Sequence, residues 1–324
     1  MAKTRDIQRR IKSVNNTKKI TRAMEMVAAA KMRKAIEAVL RTRTYANLSW
    51  ATVLNLSRAL NNSNGGYIHP LLVKRENIKK VGIILIASNR GLCGGFNAAL
   101  IDKTIQSVKK YQYIGENEEI KTDFILLGKK GSVVYRQFGY NIAADFPKND
   151  LATGVGDVIS AVKMAVDGYL SGGYDKIMVA YTDFVSASKQ VPRVKQLLPV
   201  DITTDDEYLG IVSDDTRLKV SKEFLEEKQD KYLKDEKYVY EYIFEPGPKE
   251  VLDEIIPRLL EVQLYQALLE ANASEHSARM AAMHQATDAA RDMVDELTLF
   301  YNKARQASIT AEIAEISAGA NALK

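Results

Sequence analysis

Near the start of the chain, apolar or small side chains fall at Ile7, Ile11, Val14, Thr21, Met24, Ala28, Met32, Ala35 and Val39. The steps are three, four or seven residues, the spacing that keeps side chains on one helix face. A similar stripe closes the chain: Leu252, Ile255, Leu259, Val262, Gln266, Leu269, Ala273, Ala281, Ala289, Val294, Leu297, Tyr301, Ala304, Ile309 and Ile313. Both stripes read as loose heptads of a coiled coil with a thin, alanine-rich seam. Between them the period changes. Short apolar runs at 81–87, 124–127 and 177–181 read as buried strands, and 96–111, 129–139 and 153–171 read as helices. Strand and helix in alternation predict a parallel-rich sheet. The segments 190–200 and 237–248 are candidate edge strands.

The breakers agree with this division. No proline lies in 1–69 or in 258–324, and proline is costly inside a helix. Both ends are rich in Ala, Met, Lys, Arg, Glu and Gln, all strong helix formers. Helices over 3–60 and 248–318 would be roughly 85 and 105 Å long, so they are expected to project from the domain between them. The expected division is a shaft helix over 1–65, an α/β domain over 66–247 and a second shaft helix over 248–324. Within the middle part, 201–237 is strongly charged and poor in apolar residues, and reads as a surface insertion.

Charge sharpens the picture. Residues 1–70 hold 14 Lys and Arg against 3 Asp and Glu, whereas 251–324 hold 6 against 11. A basic first helix lying antiparallel beside an acidic last one accounts for this asymmetry. A nucleic-acid arm is the alternative for the first helix, although aromatic residues are missing from it before Tyr45 and Trp50. No apolar run approaches the ~18 residues that a membrane span needs. The charged start has no apolar core of a secretory signal.

Candidate chemistry is sparse. The stretch "SNRGLCGGFN" (88–97) follows a strand and precedes a helix, the setting of many phosphate sites. It lacks the Lys of a P-loop and the glycine order of a dinucleotide fingerprint. Bulky Phe96 stands where a phosphate needs bare backbone. A structural turn or a protein-contact loop is the favoured reading. Cys93 is the single cysteine, with no histidine near it to act as a base. His69, His276 and His284 have no metal-ligand spacing; His276 and His284 read as helix-surface residues. No cofactor, metal or catalytic group is expected.

The segments "IQRRIKSVNNTKKITRAMEMVAAAKMRKA" (7–35), "NRGLCGGFN" (89–97) and "FYNKARQASITAEIAEISAGANAL" (300–323) resemble the γ subunit of the F-type ATP synthase. The resemblance covers nearly the whole chain except 201–237. It implies an antiparallel coiled coil of the terminal helices plus a central Rossmann-like α/β domain. It also implies a non-catalytic rotor, turned by a proton-driven ring of c subunits and working the catalytic β subunits of an αβ hexamer. The implied partners are the α, β and ε subunits and the c-ring, without nucleic acid and without a transmembrane segment of its own. The implied location is peripheral, on the cytoplasmic face of a bacterial cell membrane. By matching positions, Lys18, Lys19, Met24, Arg33, Lys34, Arg90, Cys93, Arg305 and Gln306 are expected rotor–stator contacts. Arg9 and Arg10 suit acidic loops on β, and Ala318, Gly319 and Ala320 match a small-residue tip. Some photosynthetic members carry a cysteine pair in an insertion at the place of 201–237. Here that segment has no cysteine, which excludes a thiol switch.

Overall fold

The computed structural model describes residues 2–62, 69–75, 77–112, 120–151, 154–200, 245 and 247–322. The charged segment 201–237 and most of the expected strand 237–248 lie outside the described residues. The elements are α1 (Ala2–Asn62), β1 (Lys80–Ile86), α2 (Phe96–Gln112), β2 (Lys121–Leu127), α3 (Val133–Phe138), β3 (Asn141–Phe146), α4 (Gly156–Leu170), β4 (Lys176–Phe184), β5 (Gln190–Leu198) and α5 (Pro248–Ala322). They form two compact units, one of residues 1–30 with 279–324 and one of residues 31–278.

The larger unit is built on one five-stranded sheet in the order β3-β2-β1-β4-β5. The first four strands are parallel, and β5 runs antiparallel to β4. Alternate residues serve opposite faces. Ile83, Leu85, Phe124, Leu126, Met178 and Ala180 pack with Leu100, Ile101 and Ile105 of α2 and Val134 of α3. Ile84, Ile86, Ile125, Leu127, Val179 and Tyr181 pack with α4 and with Leu252 to Ala271 of α5. Covering both faces explains why these strands read as unbroken apolar runs.

Several expectations shift. β3 was not legible as a strand: "NIAADF" carries two polar residues in six and is only half-buried, because it is a sheet edge. The helix expected over 129–139 splits into a 3-10 turn at Lys129–Ser132 and the short α3. Gly139, at φ +73°, ends α3 in the left-handed region that favours glycine. Residues 262–277 of α5 are buried almost without interruption, far more than a thin coiled-coil seam requires.

In the smaller unit the two helices are antiparallel. Thr287 meets Thr21 and His284 meets Glu25, so α5 descends as α1 ascends. The inward positions of α5 are Met283, Thr287, Ala290, Val294, Leu297, Tyr301, Ala304 and Ser308, an unbroken alternation of steps of four and three. Ala281, Ala289 and Ile309, placed on the stripe by sequence, are exposed. The alanine-rich stretch offers too little contrast in hydropathy to fix the phase. Beyond Ser308 the described side chains of α5 are exposed, Ile313 and Ile316 among them.

Candidate functional site

The order 3-2-1-4-5 puts a topological switch between β1 and β4, where ligands of open α/β sheets bind beyond the carboxyl ends of the strands. The loop after β1, Ala87–Gly95, is the glycine-rich stretch. Its inside is filled by the chain itself. Asn97 of α2 accepts the Ser88 backbone N–H through Oδ1 at 3.0 Å, and its Nδ2 donates to Ser88 Oγ at 2.7 Å and to Cys93 Sγ at 3.3 Å. Leu92 and Gly94 take positive φ, 63° and 56°. Gly128, at φ +108°, comes so close that an added Cβ would sit 2.3 Å from Ala87 O. Phe96 is buried.

Next to β1 in the sheet, the end of β4 carries α5. Ser274 donates to Thr182 O at 3.1 Å and Ser277 to Ala187 O at 2.7 Å, both at the end of β4. Ala273 packs with Ala35 of α1 on Phe184; small residues allow both helices to approach the strand end. The loop Pro147–Asp150 joins in. Lys148 Nζ donates to Glu275 Oε2 at 2.6 Å, with both side chains at most 3% exposed. Asn89 donates to Lys148 O, Asn272 to Asn149 O at 3.2 Å, and Lys31 to Asp150 Oδ2 at 2.7 Å. His276 Nε2 lies 3.0 Å from Asp150 O. Burial alone would raise the Asp150 pKa. The hydrogen bond and charge of Lys31, with His276 and Asn89, outweigh it and hold the carboxyl below its usual range. The carboxyl end of β4 and the loop after β3 are thus held by the protein's own terminal helices.

The expected contact residues separate into two groups. In the smaller unit, Lys18 and Met24 are half-buried in the seam between α1 and α5, while Lys19, Arg305 and Gln306 are exposed. In the larger unit, Arg33, Lys34 and Arg90 are exposed. Cys93 is 2% exposed: its side chain turns inward and shapes the loop. His276, read from sequence as a surface residue, is buried at 1% exposure. His284 is exposed, with Nδ1 3.2 Å from Glu25 and Nε2 3.4 Å from Asp288.

Sequence reasoning missed the polar residues that join the helices to the sheet. These are Lys31, Lys148, Asp150, Asn272 and Glu275; it also missed Asp183 of β4, fully buried 2.8 Å from Arg193 Nε of the neighbouring β5. That last contact is electrostatic and lies off the line that a hydrogen bond needs. The available signal was Glu270 and Glu275 inside a run that is mostly apolar or small, since buried charges require partners. Among the described residues, no group of three or more His, Cys, Asp and Glu could hold a metal ion. No helix there is long and apolar enough to cross a membrane.

Residues 3–323 match the ATP synthase family pattern. The ATP synthase gamma chain of Legionella pneumophila (strain Paris) is 39% identical over 324 residues, covering all of both chains. That of Haemophilus influenzae (strain PittEE) is 38% identical over 323 residues, again end to end. The fold is also that of a chain in the Euglena gracilis mitochondrial ATP synthase OSCP/F1/c-ring structure. There the TM-score is 0.60 at 18% identity, with 99% of this chain and 95% of that one covered. A chain in the Tetrahymena thermophila central stalk/c-ring structure gives a TM-score of 0.53 at 22% identity, covering 82% and 99%. With the family pattern matched over residues 3–323 and full-length relatives at 38–39% identity, the chain belongs to the ATP synthase gamma-chain family.

Proposed function

We propose that this chain turns as the shaft of a proton-translocating F-type synthase and carries rotation of a membrane c-ring to the catalytic sites of β. As a gamma chain it is a central-stalk rotor subunit and non-catalytic. The observation that best supports a turning role is the antiparallel pairing of α1 and α5 with Ser308 as its last inward position on α5. A shaft acts on the hexamer as a ligand with unlike faces, shifting each β only as far as those faces interact differently with its states.

In this reading Lys18, Lys19, Met24, Arg33, Lys34, Arg90, Arg305 and Gln306 meet the α and β subunits. Cys93 contributes by holding the loop around Arg90 in shape. The α/β part rests on the ε subunit and the c-ring, at the cytoplasmic face of the cell membrane. Functionally the chain divides into shaft segments 1–65 and 248–324 and a foot over 66–247.

The test is ATPase activity of purified α and β subunits with and without this chain, beside the chain alone. The expected result is no hydrolysis by the chain alone, and a stable complex with steady turnover when it is added. Hydrolysis by the chain alone, or failure to join the hexamer, would overturn the proposal.

A further inference from the structure

Three successive residues after β3 each tie the sheet to another element. Lys148 bonds Glu275 of α5 through Nζ and receives Asn89 of the glycine loop at its carbonyl. Asn149 receives Asn272 of α5 at its carbonyl and donates through Nδ2 to Asp157 of α4 at 2.6 Å. Asp150 receives Lys31 of α1 at its carboxylate and contacts His276 of α5 at its carbonyl. One short loop thus holds both terminal helices, α4 and the loop after β1. These partners lie 119 to 127 residues away along the chain for Lys31, Asn272, Glu275 and His276.

We propose that the loop Pro147–Asp150, with the buried Lys148–Glu275 pair at its centre, is a coupling that locks α1 and α5 to the α/β body against turning load. Lys148, Asp150, Glu275 and Lys31 are then positioning residues for force transmission. The proposal rests on the central-stalk reading and deepens it.

The physical argument starts from what else touches these helices. Against the sheet, α5 presents Leu, Ala and Ile side chains, among them Leu252, Ile256, Leu260, Ala267 and Ala271. Apolar contact is strong but not directional, so such a face resists separation better than it resists sliding or rolling. Hydrogen bonds and ion pairs weaken steeply with distance and angle. A buried ion pair is a poor way to gain stability, since a well-packed apolar pair of similar volume often serves as well or better. What it adds is a single permitted alignment, and here the alignment is that of the two helices with the sheet. Ser274 on Thr182 O and Ser277 on Ala187 O index the same stretch of α5 at the end of β4. All these polar contacts fall in one stretch of α5, residues 272–277, where the helix crosses the strand ends.

The test uses the assembled synthase in membrane vesicles and reads two rates on one preparation, ATP hydrolysis and ATP-driven proton uptake. The double variant Lys148→Met/Glu275→Leu keeps the volume and removes the alignment. The variant Lys31→Met/Asp150→Asn removes the second, part-exposed pair and leaves the core packing in place, so it serves if the first fails to assemble. With a slipping coupling, the proton uptake per ATP hydrolysed falls at least about threefold while hydrolysis per complex stays within about twofold. A purely structural role changes the amount of complex and moves both rates together. An unchanged ratio of uptake to hydrolysis in both variants, whatever the yield, overturns the coupling. Absence of ATP-driven uptake with the unaltered chain would instead refute the central-stalk reading.

Discussion

Thr287 of α5 donates through Oγ1 to Thr21 Oγ1 of α1 at 2.8 Å, a polar bond set into the seam between the two helices. It fixes which residue faces which where small side chains leave the apolar register weak. Removing either hydroxyl should cost about 1 kcal/mol, the usual net worth of a hydrogen bond. The Thr21→Val and Thr287→Val losses should add incompletely, because both delete the shared bond, while each also deletes a bond to its own helix, at Lys18 O and Met283 O. Urea unfolding of the two single variants and the double, followed by helix signal, measures this. Fully additive losses would mean that the bond does not contribute.

Breaking the Lys148–Glu275 pair from one side leaves a buried charge without its partner. Glu275→Leu alone should destabilise the chain by about 3–5 kcal/mol, and adding Lys148→Met should recover most of that loss. Denaturant midpoints of the wild type, the single and the double variant decide it. A double variant no better than the single would show that the pair is not the main cause.

Gly128 is required where Gly91 is not. Gly128→Ala places a Cβ 2.3 Å from Ala87 O in a conformation at φ +108°, which costs at least about 1–3 kcal/mol in backbone strain. Gly91→Ala meets nothing within 4 Å and should lie within about 0.5 kcal/mol of wild type. The thermal midpoint of Gly128→Ala should fall by several degrees while that of Gly91→Ala holds.

His69 makes stability depend on pH. Its Nδ1 accepts the Leu71 N–H at 3.1 Å and its Nε2 lies 3.0 Å from Asp253. Burial pushes its pKa below the ordinary 6.5, and the attraction of Asp253 offsets this only in part. The folded state therefore favours the neutral ring. Its contribution is fully present above the unfolded pKa and is lost as pH falls below 6.5 toward the lower folded value. Urea midpoints should drop across that window, and His69→Asn should flatten the drop. A midpoint that rises on acidification through the same window, and does so only with His69 present, would contradict the sign.

Much of the architecture could be read from residue patterns. The strands around Ile84, Ile125 and Val179 announced themselves because both sheet faces are covered, and the long helices because Gly and Pro are almost absent from them. The phase of α5 near Ala281 and Ala289 was not legible, since alanine fits either the seam or the surface. β3 was hidden by the polar residues an edge strand tolerates. The glycine loop was read as unsuited to a nucleotide from Phe96 and the missing lysine. That α5 crosses the end of β4 depends on contacts between residues 90 or more positions apart, such as Ser274 with Thr182 and Ser277 with Ala187. No local pattern encodes them. Cys93, expected as a contact residue, is buried and turns inward onto Asn97 four positions on, a direction that its residue type alone does not set.

The most direct test of the central claim is to watch the chain turn. A probe fixed to the α/β part of this chain, in a surface-held hexamer of α and β subunits supplied with ATP, should rotate in one direction in discrete steps. A hexamer that hydrolyses ATP at its usual rate while the probe stays still would contradict the account.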